Sequence, residues 1–302
     1  MRDRFTGCGT ALVTPFTAGG GLDEAGVRRL ARRQIDAGIH FLVPCGTTGE
    51  TPTLSAAERR RVVEIVVDEA RGQVPVLAGA GGYDTREVSE AAVEMARAGA
   101  DGILSVAPYY NKPTQEGLFQ HYQAISRAVP LPIILYNVPG RTGCNIEVAT
   151  VARLAAIPNI VGVKEASGNV TQMCELRHAL PEAFLVLSGD DALTLPVMSI
   201  GGRGIVSVAS NEIPAEMARM VELAEAGDFA GARALHHRLL PLMQVNFVES
   251  SPIPVKAAMA MMGLLDEVYR LPMVPPAAAS RERIGRVLRD LGLTVGAAAA
   301  RA

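Results

Sequence analysis

The sequence predicts an α/β fold, a (β/α)8 TIM barrel followed by a C-terminal helical appendage. Three observations carry that expectation. Short apolar runs alternate with amphipathic segments eight times over the first 228 or so residues. The runs are continuous hydrophobics, as strands covered on both faces are. Polar residues gather just after the runs, at the ends where barrel enzymes keep their working groups. Such alternation builds parallel pairs joined by right-handed crossovers, and a count of eight favours a closed barrel over an open doubly wound sheet. A dinucleotide-binding sheet would carry G-x-G-x-x-G after its first strand. The nearest stretch, Gly79-Ala80-Gly81-Gly82, follows the third run, lacks the last glycine and reads as a turn.

The elements follow in order. Strands are expected over 9–13, 41–43, 74–78, 102–106, 133–136, 160–163, 184–187 and 204–208. Helices are expected over 23–37, 55–70, 85–98, 115–128, 147–155, 170–179, 191–200 and 214–226. Ser55 and Glu58 form the S-x-x-E capping pattern, Thr114 precedes a first turn containing Glu116, and Pro214 suits a first helical position. Beyond 228 the alternation stops. Helical patterns over 229–246, 252–263 and 280–292, broken by Pro241, Pro252, Pro254 and a Pro-Ala loop, make 229–302 a helical domain beside the catalytic barrel of 1–228. The tail 297–302 is low in complexity and is expected to fray.

Composition narrows the function. A chain of 302 residues with 49% hydrophobic content and a mean hydropathy of +0.21 can bury a large core. No apolar run approaches the ~18–20 residues of a membrane helix. Met1-Arg2-Asp3-Arg4 leads into no apolar stretch, so no signal peptide is expected and the cytoplasm is the expected compartment. A net charge of −2 without a basic run argues against nucleic acid and for a small-molecule substrate. Cys8, Cys45, Cys144 and Cys174 form no C-x-x-C pair and read as reduced thiols, and the five histidines are scattered, so no metal site is expected.

Of the 29 basic residues only Lys112, Lys164 and Lys256 are lysine. Lys164 ends the run Ile160-Val161-Gly162-Val163, where desolvation favours the neutral amine that attack on a ketone requires. The plain alternative is an ion pair with an acid such as Glu165. Lys112, beside Pro113, reads as solvated, and Lys256, after Pro252-Ile253-Pro254, as a structural cap or ion-pair partner. Tyr136 ends the neighbouring run and could move protons, or could simply be a core tyrosine. Thr47 and Thr48 lie between glycines in a Gly-Thr-Thr-Gly turn, open to a carboxylate or merely a turn. The Arg141 guanidinium suits bidentate carboxylate binding, or is a loop arginine that is merely solvated.

Across these loops the chain resembles the dihydrodipicolinate synthase / N-acetylneuraminate lyase family of class I aldolase-like enzymes. The resemblance runs nearly end to end through ALVTPF (11–16), GTTGE (46–50), APYYNKP (107–113), LYNVPGRTG (135–143), GVKEASGN (162–169), LSGDD (187–191) and SPIPVK (251–256). It implies that Lys164 forms an imine with pyruvate, without any cofactor. Tyr136, Thr48 and Tyr110 would form a proton relay, Tyr110 reaching into a neighbouring subunit's site. Thr47 and Thr48 would hold the pyruvate carboxylate, with Val206 near the imine and Gly189 also at the substrate. Arg141 in NVPGRTG is similar to the synthase branch, where it binds the carboxylate of aspartate 4-semialdehyde. The family also implies a homotetramer built as a dimer of dimers.

Two departures stand out. The synthase branch carries Asn-Pro-Ile-Pro-Val-Lys where this chain has Ser251, which keeps open a sibling aldolase acting on a sugar acid such as 2-keto-3-deoxygluconate. In lysine-regulated relatives, Tyr109 and Glu87 are accompanied by histidine and asparagine positions; here those positions read Ala56, Arg59 and Tyr83. Arginine beside a cationic amino acid predicts weak or absent lysine inhibition. A rival of a different class is a non-catalytic barrel that binds a keto acid, though a binder has no use for an imine-forming amine.

Overall fold

The computed structural model describes residues 2–293, so the tail expected to fray lies outside the described residues. Eight strands form one parallel sheet: β1 (Gly7–Ala11), β2 (Phe41–Val43), β3 (Leu77–Gly79), β4 (Gly102–Val106), β5 (Ile133–Asn137), β6 (Ile160–Glu165), β7 (Leu185–Ser188) and β8 (Gly204–Ser207). Their order is β2-β1-β8-β7-β6-β5-β4-β3. The circle closes between β2 and β3 through a parallel bridge, Leu42 to Val76, flanked by Leu42 N–H to the Pro75 carbonyl (3.0 Å) and Gly79 N–H to the Pro44 carbonyl (2.9 Å).

Two strands start two or more residues away from their expected positions, for local reasons. The first, expected over 9–13, begins at Gly7, which pairs with Gly204, and ends at Ala11. The Val13 amide is claimed by the Asn211 side chain (3.1 Å) instead of a strand. The third, expected over 74–78, starts only at Leu77, and Pro75 lies in the lost portion, where it has no N–H to give a ladder.

Alternate strand residues face inward. Phe41, Leu77, Leu104, Ile134, Val161 and Val206 fill the barrel with Phe5 closing one end, while a larger cluster lies between sheet and helices. Each such side chain contributes roughly 1.5–3 kcal/mol on burial, so the barrel is a packed core that leaves room only at its mouth. Helix starts follow the chemistry of the sequence. Ser55 and Glu58 make a reciprocal capping box (2.9 and 3.2 Å), and Thr114 accepts from Gly117 N–H (3.2 Å). The segment expected as one helix over 191–200 divides into a 3-10 turn, Asp191–Leu193, and a helix, Thr194–Ser199.

Three helices follow the barrel, Phe229–Val245, Ile253–Met261 and Ala278–Asp290. The expected break at Pro241 does not occur. The first of these helices runs through Pro241, losing one backbone donor while Leu239, Leu242 and Met243 stay buried around it. Pro254 is tolerated because it sits in a first turn, where amides lack intrahelical partners.

Candidate active site

Lys164 and Tyr136 are opposite partners in the β5–β6 register. In adjacent parallel strands partnered residues share a face, and Tyr136 lines the cavity at the barrel mouth. Lys164 is 6% exposed, and its Nζ lies 4.0 Å from the centroid of the Tyr136 ring. Glu165, the acid that could have paired with it, takes the opposite side of the strand. Buried among the helices, it accepts from Asn137 Nδ2 (2.9 Å), Gln172 Nε2 (3.1 Å) and the Ser167 amide (2.7 Å). Among the described residues no carboxylate lies in ion-pair range of Lys164. Gly189 makes room for the lysine: a Cβ there would stand 3.0 Å from Lys164 Cε and 2.6 Å from Ala166 Cβ.

The 46–50 turn is bent at both ends. Cys45 (φ 58°) and Glu50 (φ 52°) occupy the left-handed region, which costs a non-glycine residue on the order of 1 kcal/mol. Between them Thr47–Gly49 forms a 3-10 turn, and the Thr14 hydroxyl donates to the Gly49 carbonyl (2.8 Å). A Cβ on Gly46 would meet nothing within 4 Å, so this backbone faces open space, as a carboxylate would need. The two threonines differ. Thr47 stands on the cavity wall with Tyr136, whereas Thr48 is buried and outside that wall. Among the described residues no hydrogen bond joins either threonine to Tyr136. Of the two, the fold brings Thr47 to the wall that Tyr136 lines.

The cavity at the mouth has a volume of about 260 Å³. Thr47, Tyr109, Tyr136, Arg59 and Arg141 line it, with no aspartate or glutamate among its lining residues. Two guanidiniums and no acid favour an anionic occupant. Arg141 sits in a short helix, Pro139–Thr142, and its Nη2 donates to the Ser251 carbonyl (3.2 Å). Ser251 thus touches the candidate specificity residue, but through its backbone, which asparagine would offer equally. Val206 is buried inside the barrel on β8. Tyr110, at φ 69°, is 92% exposed and is not brought to Tyr136 within this chain. A second cavity of about 140 Å³ shares Arg59 and Tyr109 with the first and adds Tyr83 and Glu87; Ala56 is outside its lining. Tyr83 and Tyr109 meet edge to face at 5.3 Å, and burial pushes the Tyr109 phenol up from its ordinary value.

Sequence reasoning passed over Asp191 as a working residue. It is buried after β7, accepting from the Ser207 hydroxyl (2.5 Å) and from the Val208 and Ala209 amides (3.0 Å each), and so fixes the chain leaving β8 beside Val206. Its place in LSGDD was visible, but not that its partners lie 16 to 18 residues ahead.

An amine without an anion, a phenol at its side and arginines around an acid-free cavity suit carbonyl condensation between carboxylated substrates. Known proteins are similar to the chain in sequence and in fold. The chain is 53% identical over 298 residues to the 4-hydroxy-tetrahydrodipicolinate synthase of Koribacter versatilis (strain Ellin345), covering 98% of this chain and 99% of that one. The crystal structure of dihydrodipicolinate synthase from Aquifex aeolicus superposes with a TM-score of 0.94 at 41% identity, covering 96% of this chain and 99% of that one. The chloride-inhibited enzyme of Acinetobacter baumannii, in complex with pyruvate, superposes with a TM-score of 0.94 at 43% identity, covering 95% and 99%. The model of the dihydrodipicolinate synthetase family matches residues 4–291, and the chain belongs to that family.

Proposed function

We propose that the chain is a 4-hydroxy-tetrahydrodipicolinate synthase, condensing pyruvate with L-aspartate 4-semialdehyde in lysine and diaminopimelate biosynthesis, in the cytoplasm and without a cofactor. The observation that carries this is the registered pair Lys164–Tyr136, with no carboxylate among the described residues in ion-pair range of the amine. The Lys164 nitrogen adds to the pyruvate ketone, and the carbinolamine loses water to give an imine once its hydroxyl is protonated. Tyr136, on the rim beside the amine, is the group placed to deliver and recover that proton. Thr47, on the same wall, passes it on, while the turn backbone and Thr48 hold the carboxylate. Loss of a methyl proton from the imine gives an enamine, whose carbon attacks the aldehyde. The semialdehyde's own amine then displaces lysine and closes the ring, with Arg141 on its carboxylate.

Tyr110, strained and directed into solvent, is the natural contribution to a neighbouring subunit. We assign it to the relay across a dimer, with two dimers forming the homotetramer. The sugar-acid alternative rested on Ser251, and the backbone nature of its contact with Arg141 removes that support. Arg59 in the wall of the second cavity supports weak or absent lysine inhibition; an unaltered initial rate at millimolar lysine is expected, and strong inhibition would contradict it.

Borohydride reduction in the presence of pyruvate, followed by peptide mass mapping, tests the central step. An adduct on Lys164 alone is expected; no adduct, or one on another residue, overturns the reading. A coupled assay with aspartate semialdehyde and a downstream reductase tests the second substrate, and a negligible rate would return the chain to the sugar-acid aldolases.

A further inference from the structure

Lys256 lies in the helix Ile253–Met261, far from Lys164 in the chain, yet it reaches the substrate loops. Its side chain is fully buried. The Nζ is ion-paired with Glu50, donates to the Val268 carbonyl (2.7 Å) and lies 4.2 Å from the centroid of the Phe16 ring. Glu50 is the residue that follows Thr47, Thr48 and Gly49, and its other carboxylate oxygen accepts the Arg270 amide (3.3 Å). The Arg270 guanidinium stacks on the same Phe16 ring at 4.3 Å. It donates to the Gly20 carbonyl (3.0 Å), the Thr53 carbonyl (2.9 Å) and Glu58 (3.0 and 2.6 Å). The C-terminal flank of the threonine turn is thus tied to the appendage at Glu50, Thr53 and Glu58.

Stability alone is a poor reason for this construction. A buried ion pair is on average no better than apolar residues of the same size, and Glu50 also sits in a backbone region that disfavours side chains. Both costs fall on the residue that ends the threonine turn. What the pair secures is direction: Glu50 can be drawn to only one place, and the turn before it follows. We infer that Lys256 and Glu50 form a positioning strut for the keto-acid subsite, through which the C-terminal appendage sets where Thr47 and Thr48 stand. The inference rests on the proposed function and adds two residues to the subsite that touch no substrate themselves. The same segment reaches the other subsite separately, through the Ser251 carbonyl on Arg141. Disturbing Lys256 should therefore weaken pyruvate binding more than semialdehyde binding.

The test compares wild type with Glu50→Gln, Lys256→Met and the double variant in the full chain. Three quantities are read: the pyruvate concentration that half-saturates borohydride trapping on Lys164, the KM for semialdehyde, and the thermal midpoint. We expect the pyruvate value to rise about tenfold in all three variants while the semialdehyde KM stays within about twofold, because only one subsite loses its support. The double variant should regain thermal stability that Lys256→Met loses, since no lone charge remains buried, without regaining pyruvate affinity. Recovery of both together would show that the orphaned charge was the whole effect, and equal rises in both substrate constants would show a general loosening; either overturns the strut. Should Lys256→Met fail to fold, Glu50→Gln and the double variant decide the matter by the same readings. Wild type that traps pyruvate, with variants of unchanged pyruvate dependence, overturns this inference alone; wild type that traps none overturns the imine and the strut with it.

Discussion

Lys164 and Lys256 are both buried and both lie about the same distance from an aromatic ring, 4.0 Å from Tyr136 and 4.2 Å from Phe16. Their surroundings are otherwise opposite. Lys256 is enclosed by a carboxylate, a backbone carbonyl and two rings, and its ammonium, which burial pulls down from the ordinary lysine range, is held by Glu50. Lys164 meets the phenol ring of Tyr136, and the acid next to it in sequence, Glu165, is turned to the far side of the strand. Among the described residues no carboxylate pairs with the Lys164 nitrogen. A buried lysine that is given a partner becomes a fixed post, and one that is denied a partner remains available to a substrate.

The largest effect comes from removing the available amine. Lys164→Met should bring synthase activity to the assay floor and abolish trapping, because Lys164 is the amine registered with Tyr136. Its thermal midpoint should hold or rise, since the substitution orphans no partner and removes a polar group from an apolar wall. A clear fall in the midpoint would show that Lys164 has a structural counterpart after all, and the contrast between the two lysines would fail.

Lys256→Met should behave in reverse. It leaves Glu50 buried without a counter-charge, which costs about 3–5 kcal/mol of folding stability, measurable by urea denaturation. Adding Glu50→Gln should recover most of that loss. A cost for the single variant below about 1 kcal/mol would mean that the pair resembles an exposed one, and the two lysines would differ only in reactivity.

The legible part of this molecule is the part written in short stretches. Each strand is a continuous apolar run, so its existence, though not its ends, can be read locally; Pro75 and the Asn211 side chain moved the ends. Lys164 announced itself as a rare lysine closing such a run. The period of two along a strand even contained the answer to the rival ion pair, since Lys164 and Glu165 must point to opposite faces. The strut between Glu50 and Lys256 was hidden because its members lie 206 residues apart, and no local pattern marks a partner that the fold alone supplies. Thr47 and Thr48 were indistinguishable in sequence for a similar reason: which of two adjacent residues faces a cavity depends on the handedness of the turn, set here by Cys45 and Glu50.

Glu212 extends the contrast to an acid and predicts the smallest change. It is buried after β8, where its Oε2 accepts from Asn246 Nδ2 (2.5 Å), while its Oε1 and Asn246 Oδ1 are buried with no hydrogen-bond partner in the protein. Burial, and next to it the Asp191 charge opposed by Arg33 and the Asn246 bond, leave this carboxyl well above its usual range. A protonated Glu212 carries a donor of its own, whereas the ionised form leaves one more buried acceptor unsatisfied. Because the folded chain keeps a proton that the unfolded chain releases, stability should fall as pH rises above the ordinary carboxyl range toward the raised value. Glu212→Gln keeps the acceptor and supplies a permanent donor, so it should be more stable than wild type at pH 7–8 by about 1–2 kcal/mol. The advantage should shrink steadily toward pH 4, where wild type also holds its proton in both states. Urea midpoints across that range check the slope, and a gain that stayed constant with pH would mean that the acid is already neutralised by something other than its own proton.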